Sequence, residues 1–131
     1  MKLTLNELQR GFVSLGKLAN QDLPLKTGYW LGRIAKAAEA EMKTLEDSRI
    51  KLVKRLGEDD GEGNYTIPAD AMEAFTAEMT ELLEVSIDLP GDKIKLESLP
   101  DGVKLSAIDL INLDWLFTAE ADTEKAATAG A

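Results

Sequence analysis

Four acidic side chains lie within one short segment, "GEDDGEGN", residues 57–64. Carboxylate oxygens are the ligands that Ca²⁺ prefers, and an EF-hand loop supplies them at fixed positions, with a glycine at the sixth. If Asp59 takes the first position, Gly61 falls at the third, where a ligand belongs. If Asp60 takes the first position, Tyr65 falls at the sixth, where the glycine belongs. The spacing therefore predicts an exposed turn and no metal site, and it leaves only weak cation binding open.

A second segment that could do chemistry is "TGYWLGR", residues 27–33, which places two glycines and an arginine at the start of a predicted helix. Helix starts can bind phosphate. This one lacks the G-x-x-x-x-G-K-S/T spacing of a phosphate-binding loop and follows no predicted strand. We therefore interpret Tyr29 and Trp30 as residues that pack the end of a helix, and Gly28 and Gly32 as positions that permit a close neighbour.

Five residues are candidates for contact with a partner: Trp30, Lys51, Lys54, Arg55 and Trp115. Tryptophan is enriched among the residues that dominate binding energy, and one of these two tryptophans is expected to be ordinary core. The three basic residues lie near the end of a predicted helix. There they either form a small anion-binding patch or oppose the negative pole of the helix dipole.

Cysteine and histidine are both absent from the sequence. Without them the chain has no thiolate or imidazole for a zinc site, no disulfide, and no Ser-His-Asp triad. Acidic pairs such as Glu39/Glu41 and Glu81/Glu84 lie on exposed faces of predicted helices, where they are solvated charges and not acid–base catalysts. The sequence therefore predicts a protein that is not an enzyme and that has no cofactor.

Apolar spacing predicts three helices in the first two-thirds of the chain. Thr4 and Glu7 form a capping-box pattern, and the leucines after them predict a helix over Leu5–Ala19. A second apolar stripe predicts one helix of about thirty residues that ends at Gly57. A third helix, from 68 to 84, begins with a proline, which suits a first helical position, and is expected to lie antiparallel on the long one.

After Glu84 the spacing of apolar residues changes from that of a helix to that of a strand. The segments "VSIDL" and "KIKLESL" alternate apolar and polar residues, which predicts two paired strands joined by a turn at Pro90 and Gly91. Ser106 and Asp109 then cap a final short helix. Its apolar residues are expected to dock on the core: Ile108, Leu110, Ile111, Leu113, Leu116 and Phe117.

The predicted fold class is mainly α with a small β appendage (α+β). It comprises a long antiparallel helical hairpin, an N-terminal helix, a two-stranded β element and a short C-terminal helix. A chain of this length suits one domain. Residues 1–117 are expected to form a single helical-hairpin domain, followed by a flexible Ala/Thr-rich tail at 118–131.

Charge is divided unevenly along the chain. Residues 1–57 carry eleven Lys/Arg against six Asp/Glu, net +5, and residues 58–131 carry four against eighteen, net -14, which together give -9. The acidic part repels a phosphate backbone, so we expect no duplex DNA partner; a protein partner, or a homo-oligomer, fits better. No apolar run reaches the roughly 20 residues that a membrane span needs, which predicts a cytoplasmic protein without a membrane partner.

The order of these segments resembles a family of small uncharacterised proteins encoded by tailed phages and prophages. The likeness lies in "EDSRIKLVKRLGE", which follows the pattern E-x-x-R-x-x-L-x-x-x-x-G, and in the Gly/Asp loop after it. It continues through "AFTAEMTELLEVSIDL", "IKLESL" and "LSAIDLINLDWLF", and so covers residues 3–117. Trp30 and the tail are not part of the pattern.

The resemblance implies a viral or prophage origin and a protein-binding role, with no established active site. The first hypothesis is a non-enzymatic protein-binding or assembly protein, for instance in virion (tail) morphogenesis, found in the host cytoplasm or associated with the virion. The alternative is an acidic phage-encoded inhibitor that binds a host defence or nucleic-acid-binding protein. Neighbouring capsid and tail genes would favour assembly, and neighbouring early or defence genes would favour inhibition.

Overall fold

The computed structural model describes residues 1–118, which form four α-helices and six short β-strands around one hydrophobic core. The elements are β1 (Lys2–Thr4), α1 (Leu5–Ala19), α2 (Leu25–Leu56), β2 (Glu58–Asp59), β3 (Tyr65–Thr66), α3 (Met72–Leu83), β4 (Ser86–Asp88), β5 (Ile94–Lys95), a 3₁₀ turn (Leu96–Ser98), α4 (Ala107–Asn112) and β6 (Phe117–Thr118). Helices dominate, which confirms the predicted α+β class.

Helix α1 begins as predicted, because Thr4 and Glu7 form a complete capping box. The Glu7 backbone N–H donates to Thr4 Oγ1 at 3.1 Å, and the Thr4 backbone N–H donates to Glu7 Oε1 at 3.0 Å. Leu8, Leu15 and Leu18 are fully buried. They recur with helical spacing and therefore form one apolar face, and α1 packs closely on α2.

Helix α2 is the long helix that the apolar stripe predicts, and its 32 residues give a length of about 48 Å at 1.5 Å per residue. Its buried residues recur at spacings of three, four and seven: Leu31, Ile34, Ala38, Leu45 and Leu52. The helix ends where the Gly57 backbone N–H donates to the Val53 carbonyl at 2.7 Å. A Cβ on Gly57 would lie 2.5 Å from that carbonyl oxygen, so a glycine is needed at this end of the helix.

Helix α3 begins later than predicted, at Met72 and not at Pro68. Pro68 instead opens a tight turn, in which the Ala71 backbone N–H donates to the Pro68 carbonyl at 3.0 Å. No residue of α3 is buried, and α2 packs more extensively on α1 than on α3. The second arm of the hairpin is therefore short and half-exposed.

The predicted pairing of the two strands that follow α3 is wrong. Strand β4 pairs antiparallel with β1, with Ile87 opposite Leu3, and β5 pairs in parallel with β6, with Ile94 opposite Phe117. The turn between β4 and β5 does contain Gly91 at φ +82°, which suits the third position of a type II turn. The strands separate after this turn because segments distant in sequence, the start of the chain and the segment after α4, take up the pairing positions.

Helix α4 begins at the predicted capping residues, and Ser106 Oγ accepts the Asp109 backbone N–H at 3.0 Å. The prediction that its apolar residues dock on the core is only partly correct. Leu113 and Leu116 are fully buried, whereas both isoleucines of α4 are exposed. A helix of six residues turns only a narrow face to the core, so the segment after it supplies the buried leucines.

The predicted tail lies outside the described residues except for its first member. Thr118 belongs to β6 and lies opposite Lys95 of β5, so the regular structure includes a residue that the sequence assigned to the tail. Residues 119–131 lie beyond the part of the chain that the structure describes.

Candidate functional site

Three side chains near the start of α2 form a cluster that we call the aromatic surface: Tyr29, Trp30 and Arg33. The rings of Tyr29 and Trp30 stack with centroids 5.7 Å apart and planes 11° apart. The Arg33 guanidinium lies 5.1 Å from the Trp30 ring centroid and 5.9 Å from that of Tyr29, within the range of a cation–π contact. Helical spacing brings Arg33 onto both rings, because residues three and four apart are neighbours on a helix.

The aromatic surface is open to solvent. Tyr29 is 55% exposed and Trp30 is 36% exposed. The sequence interpretation that both residues pack a helix end is therefore only partly correct, since the rings pack on each other and leave much of their area uncovered. Trp30, the predicted interaction residue, is thus exposed, and its role in binding stays a prediction.

A cleft with a volume of about 570 Å³ lies beside Trp30, and we call it the Trp30 cleft. It is lined by Lys26, Thr27, Trp30, Gly91, Asp92, Lys93, Ile94, Lys95 and Ser98. The start of α2 forms one side, and the segment from Gly91 through the 3₁₀ turn forms the other. A Cβ on Gly91 would lie 3.1 Å from Trp30 Cε3, so the indole packs directly on this glycine.

The amino group of Met1 fixes the loop that contains Gly91. It donates to the Leu89 carbonyl at 2.8 Å, to the Gly91 carbonyl at 3.1 Å and to Asp88 Oδ1 at 3.1 Å. Strand β1 carries this amino group to the loop through its pairing with β4. The wall of the cleft opposite α2 is therefore held by the first residues of the chain, which no local pattern in the sequence indicated.

Positive charge predominates at the Trp30 cleft. Among the lining residues that the structure describes, three are lysines and one, Asp92, is a carboxylate. Pro24 precedes α2 without a side-chain cap, and the first turn of the helix contains no acidic residue. The positive pole of the helix dipole therefore has no acidic side chain in its own first turn to oppose it.

Trp115, the second predicted interaction residue, belongs to the core and not to a surface. Its side chain is 5% exposed and packs in the same cluster as Leu113 and Leu116. The indole Nε1 lies against Gly11 of α1 and has no hydrogen-bond partner. Trp115 is therefore the tryptophan that the sequence expected in the core, and Trp30 is the exposed one.

The predicted basic patch does not consist of three unpaired cations. Arg55 Nη2 lies 2.5 Å from Glu78 Oε1 on α3, so its charge is compensated within the protein. Lys54 lines a small groove of about 300 Å³ between α2 and the β2–β3 hairpin, and Lys51 is exposed. The ion pair with Glu78 joins α2 to α3, which gives Arg55 a structural role that the sequence did not indicate.

The acidic segment forms the tip of the β2–β3 hairpin. Asp59 Oδ1 accepts the Gly61 backbone N–H at 2.8 Å, and Asp60 Oδ1 accepts the Glu62 N–H at 2.7 Å and the Asn64 N–H at 3.2 Å. The hydrogen bond from Glu62 lowers the pKa of the Asp60 carboxyl. These carboxylates hold the turn, and within residues 1–118 no group of three or more carboxylates converges in a way that could hold a metal ion.

Ser14, Lys17 and Asp109 form a polar cluster that the sequence did not single out as a unit. Ser14 Oγ donates to Asp109 Oδ1 at 2.7 Å, and Lys17 Nζ lies 3.3 Å from the same oxygen. Hydrogen bonds lower the pKa of the Asp109 carboxyl to about 2; the Ser14 hydroxyl has the largest effect and the backbone N–H of Ser106 the next largest. Ser14 and Asp109 are both buried, so the hydroxyl is not accessible to a substrate, and the cluster links α1 to α4.

No protein-family model, curated protein or solved structure matches this chain. The resemblance to phage proteins therefore stays a prediction from the sequence pattern. Among residues 1–118, no helix is both long enough and apolar enough to cross a membrane.

Proposed function

We propose that this protein acts by binding another protein, and that the aromatic surface is the centre of the contact. The observation that carries the proposal is the exposed stack of Tyr29 and Trp30 with Arg33 over both rings. Tryptophan, tyrosine and arginine are the residue types most enriched among those that dominate binding energy at protein interfaces.

The stack also reduces the cost of binding. Side chains that are already held in one arrangement lose less conformational entropy when a partner covers them. Trp30 is fixed by Tyr29 on one side and approaches Gly91 closely on another. A partner would therefore meet a preformed aromatic surface.

In the setting that the sequence resemblance implies, this is the role of a non-enzymatic assembly or accessory protein of a tailed phage or prophage. Such a protein works in the host cytoplasm or in association with the virion. The resemblance supports this setting, and the absence of cysteine and histidine agrees with a role in binding.

The test is affinity capture from infected or induced cells, with the partners identified by mass spectrometry, using Trp30→Ala and a matched control. Tyr65→Ala is the control, because Tyr65 is an aromatic residue of nearly equal exposure, 38% against 36% for Trp30, near the other end of α2. We expect Trp30→Ala to lose a partner that the parent and Tyr65→Ala both retain. Identical partners from all three proteins would contradict the proposal.

The acidic inhibitor remains a second candidate, favoured by the charge of α3 and its end. Glu73, Glu81 and Glu84 are exposed there, and such a surface can occupy a basic nucleic-acid-binding site. Replacing all three glutamates with glutamine tests it in the same capture experiment. Loss of a nucleic-acid-binding host protein from this variant, with retention by Trp30→Ala, would favour inhibition over assembly.

A further inference from the structure

The Trp30 cleft is rich in lysine, whereas the part of the chain that forms one of its sides is acidic overall. Residues 58–118 contain fifteen Asp/Glu and only three Lys/Arg. Two of these three, Lys93 and Lys95, line the cleft, where Lys26 joins them from α2. Among the lining residues that the structure describes, Asp92 is the one carboxylate, although the chain as a whole has a net charge of -9.

The start of α2 adds to this positive potential. The first turn of a helix presents backbone N–H groups that have no partner within the helix, and Pro24 offers no side-chain acceptor for them. Lys26 and Thr27 from this turn line the cleft. A carboxylate in the cleft would therefore lie near the lysine ammonium groups and the positive pole of a 32-residue helix.

The cleft also offers an apolar contact. The indole of Trp30 and the side chain of Ile94 both line it, and Trp30 is packed against Tyr29 and Gly91. A volume of about 570 Å³ is within the range of sites that hold small ligands, so it suits a few side chains of an extended segment.

We propose that the Trp30 cleft binds an acidic peptide segment of a partner protein, with carboxylates beside Lys26 and Lys93 and an apolar side chain on the indole. This inference rests on the proposed function, since the aromatic surface and the cleft share Trp30. It adds the chemistry of the partner. A short peptide fits better than a nucleic acid, because a long polyanion would also have to pass the acidic surface of the rest of the protein.

The test uses a displayed library of random peptides, selected on the full chain at low salt. We expect the selected peptides to be enriched in aspartate and glutamate, and the tightest of them, labelled with fluorescein, to bind less well at high salt. Peptides without acidic enrichment, or no selection above background, would overturn the proposed chemistry.

Charge variants locate the binding. The double variant Lys26→Glu with Lys93→Glu should bind the labelled peptide about tenfold less tightly, or weaker still. The double variant Lys26→Arg with Lys93→Arg should keep the affinity of the parent. The control is Lys36→Glu with Lys43→Glu, which makes the same change of charge on exposed residues in the middle of α2. Equal weakening by both glutamate pairs would mean non-specific attraction and would overturn the site. Thermal melts of each variant exclude loss of folding as the cause.

Two further probes separate this inference from the proposed function. If Trp30→Ala abolishes the binding of selected peptides that are not acidic, the aromatic surface stands and the acidic partner is wrong. If Trp30→Ala changes nothing, the proposed function fails as well. A labelled single-stranded oligothymidylate tests for a nucleic acid ligand. If no acidic peptide is selected, and the oligothymidylate binds the parent but binds the Lys26→Glu, Lys93→Glu variant less well, the ligand of the cleft is a nucleic acid and not a peptide.

Discussion

At Gly11, α1 lies close to the last residue of α4 and to the segment after it. A Cβ at this position would lie 2.4 Å from the Asn112 carbonyl oxygen and 2.8 Å from Trp115 Nε1. Neither atom can move cheaply, since one is backbone and the other belongs to a buried ring. The C-terminal segment can therefore pack closely on α1 because Gly11 has no side chain.

Substitution of this glycine should destabilise the protein. We expect Gly11→Ala to lower the free energy of unfolding by about 1–3 kcal/mol, as overpacking of a core does. Gly16→Ala is the matched control in the same helix, where a Cβ would meet nothing within 4 Å; it should stabilise by about 0.5–1 kcal/mol, because alanine is the better helix former. Urea unfolding of the two variants measures both changes, and equal effects would mean that α1 and the C-terminal segment are not in close contact.

Asp109 gives the stability of the protein a dependence on acid pH. Its pKa falls from the ordinary value of 3.8 to about 2, first because of the Ser14 hydroxyl and then because of the Ser106 backbone N–H. Its contribution to stability is therefore complete above the unfolded pKa and disappears as the pH falls through the folded pKa.

We expect Asp109→Asn to melt at a lower temperature than the parent at neutral pH. The difference should shrink as the pH falls from about 4 to about 2, because the parent carboxyl is then protonated as well. Asp47→Asn, on an exposed face of α2, is the control and should show little difference at any pH. A difference for Asp109→Asn that stays constant down to pH 2 would show that its carboxylate charge is not what links α1 to α4.

At the scale of elements, α2 is the frame on which the others are placed. Its buried stripe faces the core, its first turns carry the aromatic surface, and Arg55 near its end forms an ion pair with Glu78 of α3. The stripe can be tested with one residue type within one helix, because Leu45 is 5% exposed whereas Leu25 is 93% exposed.

Leu45→Ala should lower the free energy of unfolding by about 2–5 kcal/mol, from lost burial and the cavity left behind. Leu25→Ala should change it by no more than about 0.5 kcal/mol, as surface substitutions usually do. Denaturant unfolding followed by circular dichroism measures both. If the two variants unfold alike, the stripe does not face the core.

The β2–β3 hairpin is the element that answers the question of a metal site. Replacing Asp59, Asp60 and Glu62 with serine should lower the melting temperature only slightly, because serine hydroxyls can accept the same turn hydrogen bonds more weakly and both glycines of the turn remain. Calcium should leave the melting temperature of parent and variant unchanged. A calcium-dependent rise in the parent that the variant lacks would establish a cation site here.

At the scale of the whole molecule, two features favour contact between copies. The net charge of residues 1–57 is +5 and that of residues 58–131 is -14, so unlike parts of two chains attract. Helix α3 adds apolar residues that are only half-buried, among them Phe75 and Met79, and such a face gains stability when a second surface covers it.

We therefore expect the protein to self-associate at tens of micromolar, and the association to weaken as salt screens the charges. Size exclusion with light scattering, at low and at high salt, measures it. The variant Phe75→Ser with Met79→Ser should reduce the association, whereas the charge-neutral change Ile108→Ser on the exposed side of α4 should not. A strict monomer at both salt concentrations would contradict self-association and leave only the proposed contacts with a different protein.

Local signals in the sequence determined α1, α2 and the start of α4. The capping residues Thr4 and Ser106 fix where α1 and α4 begin, because their hydroxyls bond to N–H groups only three residues away. The apolar stripe of α2 is equally local, since helical geometry alone aligns it. The exposed, hydrogen-bonded turn at Asp60 also follows from short-range chemistry.

The tertiary structure decided what depends on residues distant in sequence. Strands β1 and β6 have two or three residues each, too few to show a period, and they pair with strands chosen by the packing of α1 and the return of the C-terminal segment. The same holds for the candidate site. Trp30 was visible in the sequence, but its cleft needs Gly91 and Lys93 from a loop that the amino group of Met1 holds in place. Local patterns specify elements because their interactions span a few residues, whereas the cleft is assembled by contacts between segments some sixty residues apart, which no short pattern encodes.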